Sequence, residues 1–194
     1  LKISNCIGFS RFTIDNIDYS LPKNKKIIVF APHPDDEIIG PGGSLIEASK
    51  NLCKIEIIYL TSGKENEKEE REKELKKVCD NLNFNFYIIG GVANKALIGS
   101  NKIIDILIDS KPDIIFIPFF LDDHIDHKRV NTLFYKICNS KNKFISHKLE
   151  VWSYQIYNPL IVNKVIDISH NVQKKEKLLR LYKSQFKSRD WAHY

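Results

Sequence analysis

A Rossmann-like α/β fold, a three-layer sandwich around a mostly parallel central sheet, is what these 194 residues predict. Three observations carry that expectation. Short apolar runs of strand length alternate with stretches of helical period along the chain. The breaks between them fall on Gly, Pro, Ser and Thr clusters. Histidines and carboxylates gather directly after two of the apolar runs, where a parallel sheet collects its ligand-binding side chains.

The elements follow in order. Phe12, Ile14, Ile17, Tyr19 and Leu21 alternate loosely and read as an edge hairpin within residues 1–25. Lys26 to Ala31 is a short apolar run, the first central strand. Gly40-Pro41-Gly42-Gly43 breaks the chain, and a helix runs through Leu45, Ile46 and Ala48 toward Leu52. Ile55 to Leu60 is a second strand, closed by Thr61-Ser62-Gly63. Glu65 to Leu82 is a charged helix whose Leu75, Val78, Cys79 and Leu82 fall at i, i+3, i+4 and i+7, one stripe facing a sheet. Phe84 to Ile89 is a third strand. Ile103, Ile104, Leu107 and Ile108 mark a helix with Ser100 as its cap, and Asp113 to Pro118 a fourth strand. Val130, Leu133, Phe134 and Ile137 repeat the helical stripe. Leu149 to Ile156 reads as a fifth strand and Asn171 to Gln185 as one last helix. No repeat or linker interrupts this rhythm, so one domain over residues 1–194 is expected. The dinucleotide fingerprint is absent: Gly40-Pro41-Gly42-Gly43 is not GxGxxG, and carboxylates precede it where a pyrophosphate would be repelled.

Composition narrows the class. With 43% hydrophobic and 28% charged residues the chain reads as globular rather than disordered. No apolar run approaches the roughly 20 residues that span a bilayer, and the opening LKISNCIGFSRF lacks the apolar core of a signal peptide. The net charge of +6 comes mostly from scattered lysines. Lys23-Asn24-Lys25-Lys26 and Lys174-Lys175 have no interleaved aromatics, so a nucleic-acid partner is not expected. Cys6, Cys53, Cys79 and Cys138 form no CxxC pair; Cys53, Cys79 and Cys138, among apolar neighbours, are expected as buried thiols, in a reducing, cytoplasmic setting.

The chemistry concentrates in Pro32-His33-Pro34-Asp35-Asp36-Glu37, after the first strand, and in Asp122-Asp123-His124-Ile125-Asp126-His127, after the fourth. His33 and Asp36 leave a turn stiffened by Pro32 and Pro34 and can converge on one point. His127 can supply a third ligand. Two imidazoles and a carboxylate suit Zn2+ and leave a position open, as catalytic zinc sites do; Fe2+ accepts the same set. Asp35 then reads as the general base that takes a proton from water activated by the ion. His124 reads as a donor that stabilises an oxyanion and later protonates a leaving amine. Asp126 reads either as the carboxylate that orients His124 or as a plain helix N-cap. Asp123 and Glu37 are assigned supporting roles. Arg71, spaced to pair with Glu74, reads from the residues alone as a surface ion pair.

These runs resemble the PIG-L/LmbE-like family of zinc-dependent N-acetylglucosaminyl deacetylases. That family's first motif stands here as Pro32-His33-Pro34-Asp35-Asp36-Glu37 with Gly42-Gly43, and its HxDH motif as His124-Ile125-Asp126-His127. Leu60-Thr61-Ser62-Gly63, Arg71-Glu72-Lys73-Glu74-Leu75 and the closing Tyr182-Lys183-Ser184-Gln185 resemble further family segments, so the likeness runs from about Lys26 to Gln185. The resemblance implies a Rossmann-like fold and a metal held by His33, Asp36 and His127. It implies Asp35 as base, His124 as oxyanion stabiliser and acid with Asp126 orienting it, and Arg71 as a substrate contact. The substrate implied is an N-acetylated amino sugar or its conjugate. Ile125 stands where many members have Pro, and Lys128-Arg129 replace commoner small residues, which bears on substrate fit. The chain stops soon after Gln185, so the expectation is that part of the pocket rim is either absent or supplied by a partner copy in a homo-oligomer. The competing expectations are a metal-dependent phosphoesterase, using Asp35, Asp122 and Asp123 for a second ion, and a non-catalytic sugar-binding protein on the same fold. Trp152, Tyr154 and Tyr157 could line the pocket, but core packing is their expected use.

Overall fold

A computed structural model of the protein describes residues 20–90, 100–140, 148–160, 162–186 and 190. Most of the expected N-terminal hairpin therefore lies outside the described residues. Five strands, β1 (Lys26–Ala31), β2 (Lys54–Tyr59), β3 (Asn85–Ile88), β4 (Ile114–Pro118) and β5 (Glu150–Tyr154), form one sheet in the order β3-β2-β1-β4-β5. Every pairing is parallel, with Lys26 opposite Lys54, Ile27 opposite Ile114, Glu56 opposite Asn85 and Ile114 opposite Glu150.

The helices are α1 (Asp36–Ile39), α2 (Gly42–Lys50), α3 (Lys68–Leu82), α4 (Ser100–Ser110), α5 (Ile125–Asn139), α6 (Val172–Leu179) and α7 (Lys183–Phe186). They cover both faces of the sheet. Ile27, Val29 and Ala31 point into a core with Leu45, Ile57, Leu75, Val78, Cys79, Leu179 and Tyr182. Ile28 and Phe30, on the alternate face, pack with Ile58, Ile103, Leu107, Val130, Phe134 and Ile137. This two-sided burial is why the central strands read as unbroken apolar runs rather than as alternating ones. The chain winds from β1 outward to β3 and then returns to β4 on the other side of β1. The reversal places the carboxyl ends of β1 and β4 side by side.

The last helix differs from expectation. A 3-10 turn at Ser169–Asn171 leads into α6, and α7 is a separate turn. Between them Leu181 and Tyr182 donate to carbonyls three residues back, those of Leu178 and Leu179. The break turns Tyr182 into the core, 1% exposed, and puts Ser184 against Glu74, which accepts from its N–H at 2.9 Å and from its hydroxyl at 2.6 Å. No Gly or Pro marks that break in the sequence. Cys79 is buried, while Cys53 and Cys138 are half-buried. No helix among the described residues is long and apolar enough to cross a membrane.

Candidate metal centre

Because β1 and β4 are neighbours at the winding reversal, the two histidine-carboxylate runs lie side by side at the carboxyl end of the sheet, where open α/β sheets place their ligands. Pro32 to Asp35 form the turn into α1, with Asp35 at φ 114°, a region L-residues rarely adopt and which costs about 1–3 kcal/mol. Its backbone N–H donates to Glu37 Oε2 at 3.1 Å, and Glu37 Oε1 accepts the hydroxyl of the buried Tyr182. The base candidate is thus held by a carboxylate that is itself tied to the segment before α7.

Asp36 Oδ2 accepts the backbone N–H of His33 at 2.9 Å and lies 3.2 Å from His33 Nδ1. His127 Nε2 approaches the same oxygen to 3.4 Å. One carboxylate oxygen therefore has an imidazole nitrogen from each motif beside it. A tetrahedral ion with ligands at 2.0–2.2 Å has edges of about 3.3–3.6 Å, close to both separations. His127 is fully buried, yet among the described residues neither of its ring nitrogens has a hydrogen-bond partner. A buried polar atom so placed costs about 1–3 kcal/mol unless something binds it, and a cation would. His33, His124 and His127 also converge, with one nitrogen of each within 4.8 Å of the others, which is a looser donor set.

The surroundings set the charges. Burial raises the Asp36 carboxyl, but His127 and His33 outweigh it and hold it well below the usual carboxylate range. For Asp35 the balance reverses: burial and the adjacent Asp36 push it well up, against the opposing pull of His33 and Arg71. Burial would lower His33, but Asp126 and Asp36 carry it up to about 10. Burial likewise works against His127, which Asp36 and Asp122 raise. Burial lowers His124, and its neighbours His33 and His127 add to that. His124 is the N-cap of α5, and its Nδ1 accepts the Asp126 N–H at 3.2 Å. A neutral His124 so bonded carries its proton on Nε2.

The orienting contact expected from the Asp126 carboxylate to His124 is not made. The carboxylate of Asp126 lies 3.0 Å from His33 Nε2 and accepts from Arg129 Nη1 at 2.9 Å; only its backbone N–H meets His124. The cause is helical geometry: side chains two apart on α5 point to different sides. With His33 as its donor and Arg129 beside it, Asp126 is held down to about 2. Arg71 is likewise not paired with Glu74. It bonds Glu67 Oε2 at 3.2 Å and Gln185 Oε1 at 2.8 Å, because Glu74 is taken by Ser184.

Three residues at this site take roles other than those expected from the sequence, and Tyr157, expected in the core, is 44% exposed. Asp122, fully buried, accepts the N–H of His124 at 3.1 Å and of Tyr157 at 3.1 Å, and its Oδ2 lies 3.4 Å from His127 Nδ1. Tyr182 holds Glu37. Tyr157 stacks beside His124, with ring centroids 5.9 Å apart and planes 18° from parallel. Trp152 and Tyr154, by contrast, are core residues as expected, and the Tyr154 hydroxyl donates to the Phe30 carbonyl at 2.7 Å. From the sequence Asp122 is expected only as a ligand for a second ion, Tyr182 only as part of the closing family-like segment, and Tyr157 as a core residue.

The family model described as GlcNAc-PI de-N-acetylase (PIG-L) matches residues 28–138. Among solved structures, a conserved protein of Thermus thermophilus superposes with a TM-score of 0.71 at 24% identity, covering 87% of this chain and 84% of that one. The N,N'-diacetylchitobiose deacetylase of Pyrococcus horikoshii superposes with a TM-score of 0.68 at 22% identity, covering 86% and 73%. At such identities these likenesses establish the fold. A Bacteroides thetaiotaomicron protein described as glucosamine-6-phosphate deaminase-like is 38% identical over 42 residues, which span 22% of this chain and only 6% of that protein's length.

Proposed function

The chain belongs to the GlcNAc-PI de-N-acetylase (PIG-L) family, and on that premise we propose that it is a metal-dependent hydrolase removing the acetyl group from an N-acetylglucosamine-type amino sugar or its conjugate. The observation that carries this reading is the meeting of His33, Asp36 and His127 at one point, with both nitrogens of the buried His127 lacking a hydrogen bond. These three residues would hold the ion, Zn2+ in the first instance and Fe2+ as the alternative. The ion, when bound, polarises the acetamide carbonyl and acidifies water.

The chain's own residues do the rest. Asp35, held at the turn beside Asp36 by its N–H bond to Glu37, takes a proton from the water that attacks the carbonyl carbon. His124 donates from Nε2–H to the oxygen on which negative charge develops, a contribution worth about 3–4 kcal/mol for one such donor. As the C–N bond breaks, acetate forms and the amine leaves with the proton Asp35 took up, not with one from His124 as expected from the sequence, because burial and the neighbouring His33 and His127 disfavour a protonated His124 ring. Asp126 is a positioning residue: it fixes the ring of His33, as carboxylates commonly do for ligand imidazoles. Arg71, clamped by Glu67 and Gln185, is a substrate contact. His124 is kept as donor rather than ligand because its neutral ring presents N–H on the side not used by Asp126.

The phosphoesterase reading loses support. It needs free carboxylates for a second ion about 3.5–4 Å away, whereas both oxygens of Asp122 are engaged and Asp123 is exposed. A cytoplasmic setting and a single domain over 1–194 belong to the same proposal. The test is amine release from N-acetylated sugar conjugates, with and without chelator. Wild type releases amine only when metal is present, and Asp35→Asn keeps its metal but releases none. Full turnover by Asp35→Asn, or after chelation, overturns the reading; sugar binding without turnover makes this a binding protein.

A further inference from the structure

Resting on the deacetylase reading, we propose that Tyr157 is the specificity-determining residue that recognises the pyranose ring bearing the acetamide, through an aromatic face at the mouth of the metal centre.

Tyr157 is 44% exposed, while Trp152, Tyr154 and Ile156 just before it are all buried. It is nevertheless not a loose surface side chain. Its ring lies beside His124 in near-parallel stacking and 5.5 Å from the ring of His127. The backbone beneath it is pinned to the segment that follows β4 in three places. Phe119 N–H donates to the Tyr154 carbonyl at 2.9 Å, Tyr157 N–H to Asp122 Oδ2 at 3.1 Å, and Asn158 Nδ2 to the Leu121 carbonyl at 3.0 Å. Asp122 is shared, since its other oxygen holds the His124 N–H. The same buried carboxylate thus sets the aromatic ring and the proposed proton donor relative to each other.

Such a placement suits an amphipathic ligand. The C–H face of a hexose is apolar and its rim is polar, and a rigid tyrosine ring matches the first at little cost in side-chain entropy. A stacking partner fixed beside the proton donor also fixes which amide bond reaches the metal. An acetamide without a sugar ring makes no use of it.

The experiment uses metal-loaded full-length protein, with methyl N-acetyl-β-glucosaminide and the ringless amide N-acetylethanolamine as probes. Tyr157→Ala is expected to raise KM for the glycoside about five- to tenfold with little change in kcat. It also lowers the ratio of kcat/KM for glycoside over ringless amide by that factor, and Tyr157→Phe restores both. A fall in kcat on both probes with an unchanged ratio would mean that Tyr157 only holds His124, and overturns the proposal. If wild type hydrolyses neither probe, the deacetylase reading fails on its own. Calorimetric titration of the glycoside then decides for Tyr157: a Kd five- to tenfold weaker in Tyr157→Ala supports ring recognition, and equal or undetectable binding in both proteins overturns it.

Discussion

Replacing Glu37 by Gln should change how the stability of this protein depends on pH. Glu37 is fully buried, accepts the Asp35 N–H and the Tyr182 hydroxyl, and has its pKa pushed up by burial from 4.5 to about 7 despite those donors. Between pH 4.5 and about 7 the folded protein keeps a proton on Glu37 that the unfolded chain has lost. Folding stability therefore falls as pH rises through that window and levels off above it. The gap between 4.5 and about 7, at about 1.4 kcal/mol per pH unit, amounts to about 3 kcal/mol. Gln has no charge to lose. Its amide leaves one group poorly matched, a cost of about 1–3 kcal/mol that does not vary with pH. Wild type should thus be the more stable protein at acid pH and lose about 3 kcal/mol relative to Glu37→Gln as the pH reaches 7.5. Urea denaturation of both proteins in chelator, at half-unit steps from pH 4.5 to 7.5, measures that difference directly. Parallel stability curves across this range would refute the claim that Glu37 is protonated in the folded state.

Two further substitutions test the supports of the centre. Asp122→Ala leaves the N–H groups of His124 and Tyr157 without their acceptor and removes the carboxylate facing His127; it should cost about 2–5 kcal/mol of stability and weaken zinc binding by about 10–100-fold in a chelator competition. Zinc affinity within twofold of wild type would show that Asp122 plays no part in holding His127. Gly63→Ala puts a methyl group at φ 92° and 2.6 Å from Arg71 Cδ; it should lower stability by about 1–3 kcal/mol in thermal denaturation and raise KM as the guanidinium is displaced, whereas unchanged KM would argue against Arg71 as a substrate contact.

The layered fold was legible because doubly covered strands such as Ile27–Ala31 and Ile114–Pro118 must be apolar throughout, and α3 must carry its apolar stripe at helical spacing. The metal centre was legible because histidines and carboxylates follow two of those strands directly. What the sequence could not carry is the pairing among them. Whether Asp126 faces His124 or His33 depends on how α5 is rotated against β1, which spacing along one helix does not encode. Arg71 turned from Glu74 to Gln185 because the chain breaks after Arg180, and that break is set by buried partners of Tyr182 and Ser184 far away in sequence. Tyr157 and Trp152 have the same composition signal, and only the sheet edge decides which of them is core.

The most direct measurement is the zinc content of reconstituted Asp36→Ala and His124→Ala beside wild type. One equivalent per chain is expected in wild type and in His124→Ala, and almost none in Asp36→Ala. Loss of zinc from His124→Ala with retention in Asp36→Ala would contradict it and give the ion to the three histidines.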